Sequence, residues 1–177
     1  MTTLAFDLAH SSVDFSVRHM VFAKVRGGFQ KFNADVTIDD KTNIPTSVKA
    51  VIDANSIDTK NPDRDGHLKS PDFLDAAQFP NITFESTSIS GTPDALSITG
   101  NLAIHGVTRP VTLAAQFAGE GKDPWGNDRI GYEATVKINR KDFGLNWNQA
   151  LETGGVLVGE EIEITITLEL IRATAVA

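Results

Sequence analysis

Apolar and polar residues alternate with a period of two along most of this chain. Residues 161–170 show the pattern most clearly, because isoleucine or leucine at every even position is interleaved with glutamate or threonine. Successive side chains of a β-strand point to opposite faces, so each such segment is predicted as a strand with one buried face. The other alternating segments are residues 13–18, 32–39, 48–52, 82–85, 96–104, 111–117 and 130–138.

Glycine, proline and asparagine clusters separate these segments, so the sequence predicts an all-β fold of about eight strands joined by short connections. An antiparallel sandwich and a barrel both fit this pattern. The barrel is favoured because closure removes exposed strand edges, and eight strands enclose just enough room for one small ligand. The inward faces are aliphatic and aromatic, and composition leaves open whether such a barrel is packed solid or encloses an apolar cavity.

Bulk composition narrows the class of protein. The chain has 177 residues, which predicts a single domain over 1–177, and it lacks cysteine, which excludes disulfide scaffolds and thiolate zinc sites. Its net charge of −7 disfavours nucleic-acid binding. The sequence has no long apolar run, so stable membrane insertion is not predicted, and the N-terminus does not resemble a secretion leader. We therefore expect a cytoplasmic protein, or a periplasmic one if a leader has been removed.

The stretch from Asn61 to Pro80 is the one long segment that does not alternate. It combines charged residues with apolar anchors, which favours a loop held over another part of the molecule. A short helical insertion is predicted around 62–76, with Pro62 and Pro71 each placed to open a turn.

Catalytic and metal-binding patterns are weak. The four histidines form no recognised ligand spacing, and His105 before Gly106 is typical of a hairpin turn. No serine lies in a nucleophile turn, and Asp65 beside Arg64 is interpreted as a capping or salt-bridge group. Gly27-Gly28 is interpreted as a turn or bulge. We predict no catalytic residue, metal or cofactor.

Several segments together resemble the YceI-like family of lipid-binding proteins. They are DLAHSSVDFSVRHM at 7–20, VRGGFQKF at 25–32, NSIDTKNPDRDGHLKSPDFLDAAQFPNITFEST at 55–87, GNLAIHGVTRPV at 100–111, INRKDFGLNW at 138–147 and GGVLVGEE at 154–161. The resemblance implies an extended eight-stranded antiparallel lipocalin-like barrel with a hydrophobic tunnel. It also implies a polyisoprenoid, quinone or similar linear lipid as ligand, and a possible homodimer.

Two groups of site residues follow from the alternation and the family motifs. The predicted apolar lining comprises Phe15, Val17, Phe22, Phe84, Leu102, Phe117, Ala134, Val136, Phe143 and Trp147. By resemblance, the polar residues at the ligand head or at the barrel mouth are His19, Arg64, Asp65, His67 and Arg140. These polar residues either contact a head group or anchor the central loop.

Three functions are compatible with these observations. The favoured one is non-enzymatic binding, transport or storage of a long-chain isoprenoid. The second is an enzyme acting on such a lipid, with His67 as base and Asp65 as its orienting group. The third is an interaction module with a solid core.

Overall fold

The computed structural model describes residues 1–173, and its architecture is all-β with one short α-helix. The elements are β1 Thr2–Phe6, β2 Ser12–His19, β3 Ala23–Phe29, β4 Phe32–Ile38, β5 Pro45–Asp53, β6 Ile57–Asp58, α1 Pro62–Lys69, β7 Asn81–Thr92, β8 Ala95–Ile104, β9 Val107–Lys122, β10 Asp128–Asn139 and β11 Val158–Arg172. Short 3₁₀ turns span Leu8–His10, Ala54–Ser56 and Arg140–Phe143.

Eight of these strands close into an antiparallel barrel in the order β1-β4-β5-β7-β8-β9-β10-β11, with β11 pairing back onto β1. The longest ladder joins β10 to β11, from Asp128 opposite Arg172 to Asn139 opposite Glu161. The predicted eight-stranded barrel is confirmed. The three predicted strand segments between Ile82 and Phe117 lie in β7, β8 and β9, which pair in the hairpins β7–β8 and β8–β9.

Strands β2, β3 and β6 extend the wall beyond the closed ring. At one end β11 pairs with β1, through Leu170 opposite Phe6, and further along it pairs with β2, through Ile162 opposite Val17. Strand β3 pairs with β2 on one side and β6 on the other. Alternation did not predict β1, β3 and β6, because each is short or carries too few inward apolar residues to give a periodic signal.

Gly27 and Gly28 lie inside β3, so their interpretation as a turn or bulge is wrong. A Cβ on Gly27 would lie 2.7 Å from both Phe15 Cζ and Thr59 Cγ2, and one on Gly28 would lie 2.7 Å from Asp14 Oδ1. The glycines are required here by close packing of neighbouring groups rather than by a reversal of the chain.

One end of the barrel, called here the closed end, is packed solid. Leu4, Val36, Ile38, Ile130 and Leu170 are at most 3% exposed there. Outside this layer the Arg129 guanidinium binds the carboxylates of Asp7, Asp123 and Glu169 at 2.6 to 2.8 Å. The Tyr132 hydroxyl donates to the Asn43 carbonyl oxygen at 2.7 Å.

The opposite end carries the segment Asn61–Pro80, called here the lid. Asn61 caps helix α1 by accepting a hydrogen bond from the Arg64 amide, and Pro62 occupies the first turn. The helix is shorter than the insertion predicted around 62–76. It ends at Lys69 because Pro71 disfavours helical backbone at Ser70, whose ψ is 169°, and residues 71–74 form turns instead.

Within residues 1–173, no helix has the length and apolar character needed to cross a membrane. Strands of the one sheet run from Thr2 to Arg172. The predicted domain, 1–177, also includes residues 174–177, which lie outside the described part of the chain.

Candidate ligand-binding cavity

The barrel is hollow between the closed end and the lid. A cavity of ≈ 340 Å³ lies there, with a lining that is almost wholly apolar. The inward residues Ile162, Ile164, Ile166 and Leu168 of β11 are only partly buried, whereas Leu170 at the closed end is fully buried. Since all five share one face of the strand, the incomplete burial of the first four reflects empty space inside the barrel.

Seven of the ten predicted lining residues border this cavity. Phe15 and Val17 come from β2, Phe84 from β7, Leu102 from β8, Ala134 and Val136 from β10, and Trp147 from the segment before β11. They come from strands on opposite sides of the barrel, so the structure brings them around a single space.

The other three predicted lining residues lie elsewhere. Phe22 is 79% exposed at the tip of the β2–β3 hairpin, because β2 ends at His19 and Phe22 lies in the turn that follows. Phe143 is 1% exposed and packs in the core beneath the 3₁₀ turn that contains it. Phe117 packs edge-on against Tyr132 with ring centroids 5.9 Å apart, and it lies against the core outside the cavity lining.

Gly100 is in close contact with Phe84, whose ring lines the cavity. A Cβ on Gly100 would lie 2.5 Å from Phe84 Cζ and 2.5 Å from the Glu85 carbonyl oxygen. The Phe84 ring therefore lies directly over the Gly100 backbone, and a larger side chain at this position would displace the ring.

The lid closes the cavity with its apolar underside. Leu68, Phe73 and Leu74 line the cavity, and the Leu74 amide donates to the Leu68 carbonyl at 3.0 Å. These side chains were recognisable in the sequence as apolar anchors. Their contact with the barrel interior depends on the fold of the lid, which alternation does not predict.

Two predicted mouth residues, Arg64 and Asp65, anchor the lid to the barrel wall. Asp65 Oδ1 accepts hydrogen bonds from the Thr59 amide at 2.9 Å and its hydroxyl at 2.6 Å. Arg64 Nε donates to the same hydroxyl at 2.8 Å, and Arg64 Nη2 donates to the Thr59 carbonyl at 2.8 Å. Thr59 is 4% exposed, so this network fixes the start of α1. Arg64 also borders the cavity, whereas Asp65 does not.

His67 joins the lid to the segment between β10 and β11. Its ring lies edge-on to Trp147 at 4.7 Å and to Phe73 at 5.1 Å between centroids, and Nε2 is 2.9 Å from Asp72 Oδ2. The enzyme hypothesis required Asp65 to orient His67. That pair is not formed, because Asp65 is bound to Thr59 and His67 to Asp72.

Arg140 is 1% exposed, and its guanidinium holds the segment 145–159 in place. Nε donates to the Gly159 carbonyl at 2.8 Å, Nη1 to Leu145 at 2.7 Å and Trp147 at 2.8 Å, and Nη2 to Val158 at 3.3 Å. Burial lowers the pKa of Arg140 from its ordinary value. Arg140 borders the cavity, but its donors are directed mainly to backbone carbonyls.

Basic side chains also lie at the mouth of the cavity. His19 borders the cavity as predicted, and its neighbour Arg18, which the alternation placed outside, reaches the same rim. Tyr132 lines the cavity toward the closed end, and burial raises its pKa to about 12.

The one described cluster of potential metal ligands, Asp7, His10 and Glu169, surrounds a position beside Arg129, which already neutralises both carboxylates.

An antiparallel barrel closed at one end, covered by a lid at the other and lined by apolar side chains is a lipocalin-like barrel with an interior cavity. The chain matches the YceI-like domain over residues 4–170 and belongs to that family. It is 41% identical over 160 residues to Protein YceI of Salmonella newport strain SL254, covering 90% of this chain and 81% of that protein.

Solved structures show the same fold. BcnA of Burkholderia cenocepacia superposes with a TM-score of 0.80 at 26% identity, covering 96% of this chain and 99% of BcnA. A polyisoprenoid binding domain from Saccharophagus degradans, implicated in plant cell wall breakdown, superposes with a TM-score of 0.69. At 15% identity, over 98% of this chain and 99% of that domain, the second likeness concerns the fold alone.

Proposed function

We propose that this protein is a non-enzymatic carrier that binds one long-chain isoprenoid or similar linear lipid in its barrel. The observation that carries the proposal is the apolar cavity between a solid closed end and a lid. Each methylene moved from water into such a space contributes about 0.8 kcal/mol. Because the cavity is closed at one end, it favours a linear ligand whose apolar tail enters first and whose polar end stays at the mouth.

The charges at the mouth favour a polar or anionic head group. Arg18 and His19 at the end of β2 and Arg64 and His67 on the lid all border the cavity. The Arg64 and Arg140 donors are occupied by backbone or threonine oxygens, so they contribute positive potential more than direct hydrogen bonds. The polyisoprenoid-binding neighbour supports an isoprenoid rather than a compact apolar ligand.

A carrier is better supported than an enzyme. The acid-base pair that the described residues place at the mouth, His67 with Asp72, is half exposed and lies on the lid. The hollow interior also disfavours an interaction module with a solid core.

The test is organic extraction of the purified protein followed by mass spectrometry. We expect an isoprenoid or other linear lipid at close to one molecule per chain, and uptake of a fluorescent isoprenoid analogue by lipid-stripped protein. Absence of any stoichiometric lipid together with absence of uptake would contradict the proposal. Recovery of a lipid with one or two chains and no isoprene units would keep the carrier and reject the isoprenoid.

A further inference from the structure

The turn between β2 and β3 exposes apolar side chains that contribute nothing to the core. We call Met20, Val21 and Phe22 the apolar tip. Val21 is 64% exposed and Phe22 is 79% exposed. Val156, 43% exposed, lies in the adjacent turn, where a Cβ on Gly155 would be 3.1 Å from Val21 Cγ2. Large apolar residues grouped at one exposed point mark an interaction site more often than isolated ones do.

The backbone holds the tip in a fixed conformation. Met20 and Val21 have φ of 55° and 69°, a left-handed region that β-branched residues such as valine rarely adopt. The Met20 amide donates to the Leu157 carbonyl at 2.9 Å, and the Phe22 amide to the Met20 carbonyl at 2.8 Å. Burial of Val21 and Phe22 does not offset the unfavourable backbone, so fold stability alone does not account for these residues.

The tip is part of the cavity mouth. Strand β2 ends at His19, which pairs with Val158, and both residues border the cavity. Leu157, which accepts the hydrogen bond from Met20, borders it as well. A surface that received the tip would therefore face the opening through which a ligand enters.

The hairpin that carries the tip is basic in a chain that is acidic overall. From Phe15 to Phe29 it contains three of the sixteen lysines and arginines and no acidic residue. The acidic residue of its two strands, Asp14, pairs with Gly28 at the end of the hairpin away from the tip. Arg18 pairs directly with Lys24, and Ser16 pairs with Arg26, so the three cations share the outer face of the hairpin. Within residues 1–173 none of the three forms an ion pair.

Like charges directly opposite each other destabilise a strand pair. Arg18 beside Lys24 therefore lowers hairpin stability unless an anionic surface lies against that face. Apolar residues at the end of a cationic element are the combination that binds the interface of a bilayer containing anionic lipid.

We propose that the apolar tip and the cations of its hairpin dock the barrel mouth reversibly on an anionic lipid bilayer. The inference rests on the proposed carrier function and extends it, because it specifies where the lipid is collected or delivered. Phe22 and Val21 enter the head-group region while Arg18, Lys24 and Arg26 lie against lipid phosphates. The cavity mouth then opens toward the acyl chains, and the ligand moves between bilayer and barrel without crossing water.

A second copy of this chain is the other occupant that an exposed apolar tip could receive. In a two-fold interface the same patch meets itself. The unpaired cations of the two hairpins would then face each other, which the charge distribution disfavours. The bilayer accommodates both the apolar tip and the positive charge.

The experiment is flotation of the full-length protein with vesicles of equimolar phosphatidylglycerol and phosphatidylcholine, and with vesicles of phosphatidylcholine alone. We expect binding to the anionic vesicles that weakens as salt rises, and little binding to the neutral ones. Phe22→Ser and Lys24→Glu should each lower the partition coefficient roughly tenfold, from the apolar area and the charge that they remove.

Matched controls lie at the opposite end of the barrel. Trp125 is 82% exposed in the β9–β10 turn, and Lys41 is exposed in the β4–β5 turn. Trp125→Ser and Lys41→Glu should leave vesicle binding unchanged. Equal losses in the tip and control variants, or no binding of the wild type, would overturn the proposal. So would a dimer in solution that Phe22→Ser dissociates.

Lipid content separates this inference from the proposed function. Because Phe22 lies outside the cavity, the Phe22→Ser variant should retain the lipid found in the wild type. Its transfer of that lipid to anionic vesicles should be slower. Retained lipid with vesicle binding unaffected by Phe22→Ser would reject docking and leave the carrier intact. Vesicle binding that depends on the tip in a protein with no lipid content and no uptake would reject the carrier alone.

Discussion

The ring of His67 lies 4.7 Å from the ring of Trp147, edge to face, and this contact links the lid to the segment between β10 and β11. Phe73 completes the cluster, 5.3 Å from Trp147 between centroids. The lid and the β10–β11 connection are thereby packed on each other over the mouth. Because His67 and Phe73 both lie on the lid, an opening of the lid would separate their rings from that of Trp147.

Trp147→Ala should loosen the lid. Each aromatic contact contributes about 0.5 to 1.5 kcal/mol, so loss of two should increase lid opening, and the release rate of a bound fluorescent isoprenoid analogue, roughly tenfold. Hydrogen exchange of amides in 64–76 should accelerate, whereas exchange in β10 and β11 stays constant. Trp125→Ala is the control because that ring is exposed at the other end. Unchanged lid exchange in Trp147→Ala would show that the ring cluster does not hold the lid.

Ala134→Phe should fill the cavity instead of disrupting the barrel. Ala134 borders the empty space and is only partly buried, so a larger side chain there has room. We expect loss of most bound lipid on extraction, with a melting temperature close to that of the wild type.

Two alanines provide the comparison for Ala134. Ala54→Phe replaces a residue 1% exposed in packed core and should cost about 1 to 3 kcal/mol of unfolding free energy. Ala114→Phe adds the same ring on the outer face of β9 and should change neither lipid content nor stability appreciably. If Ala134→Phe unfolded the protein as Ala54→Phe is expected to, the barrel interior would be solid around β10.

Alternation predicted most strands of the barrel and their inward residues, because it reports which face of each strand is buried. Phe15, Val17, Ala134 and Val136 were assigned to the interior on that basis, and they border the cavity. The rule fails where strands end. Phe22 lies beyond the last pair of β2 and β3, so its position is set by a turn with left-handed backbone that the periodicity does not encode.

The polar residues at the mouth were found by family motif, and their hydrogen-bond partners were not predictable. Arg64 and Asp65 both bind Thr59, a residue with no distinguishing pattern. Arg140 binds carbonyls of a segment up to nineteen residues away. The sequence also did not predict whether the barrel interior is hollow, because that depends on how side-chain volumes add across eight strands.

Arg140→Met should strongly destabilise the protein. The methionine removes the guanidinium hydrogen bonds to four carbonyls around a residue 1% exposed. Asn148 Nδ2 still donates to the Val158 carbonyl, but those of Leu145, Trp147 and Gly159 lose the guanidinium donor. We expect a loss of about 3 kcal/mol, because unpaired buried acceptors are costly. Arg140→Lys should lose less, since an ammonium satisfies some of these carbonyls. Urea unfolding measures both.

Arg109→Met is the matched control for Arg140. Arg109 is exposed and donates to the Asp142 carbonyl at 3.1 Å, so its loss should stay within about 0.5 kcal/mol. Equal effects at the two positions would show that the segment 145–159 does not depend on the buried guanidinium.

The closed end should lose stability in acid through Asp7. The hydrogen bond from Arg129, followed by that from His10, lowers the pKa of Asp7 from 3.8 to about 2. Because the folded-state pKa is the lower one, folding is favoured by this carboxylate above pH 3.8, and that contribution is lost as pH falls toward about 2. The unfolding free energy should therefore decline over this interval, and Asp7→Asn should make the decline shallower while lowering stability at neutral pH.

Asp94→Asn, which removes an exposed carboxylate from the β7–β8 turn, should leave the slope unchanged. A slope in Asp7→Asn equal to that of the wild type, measured by urea unfolding at successive pH values, would mean that the Arg129 network does not stabilise the closed end.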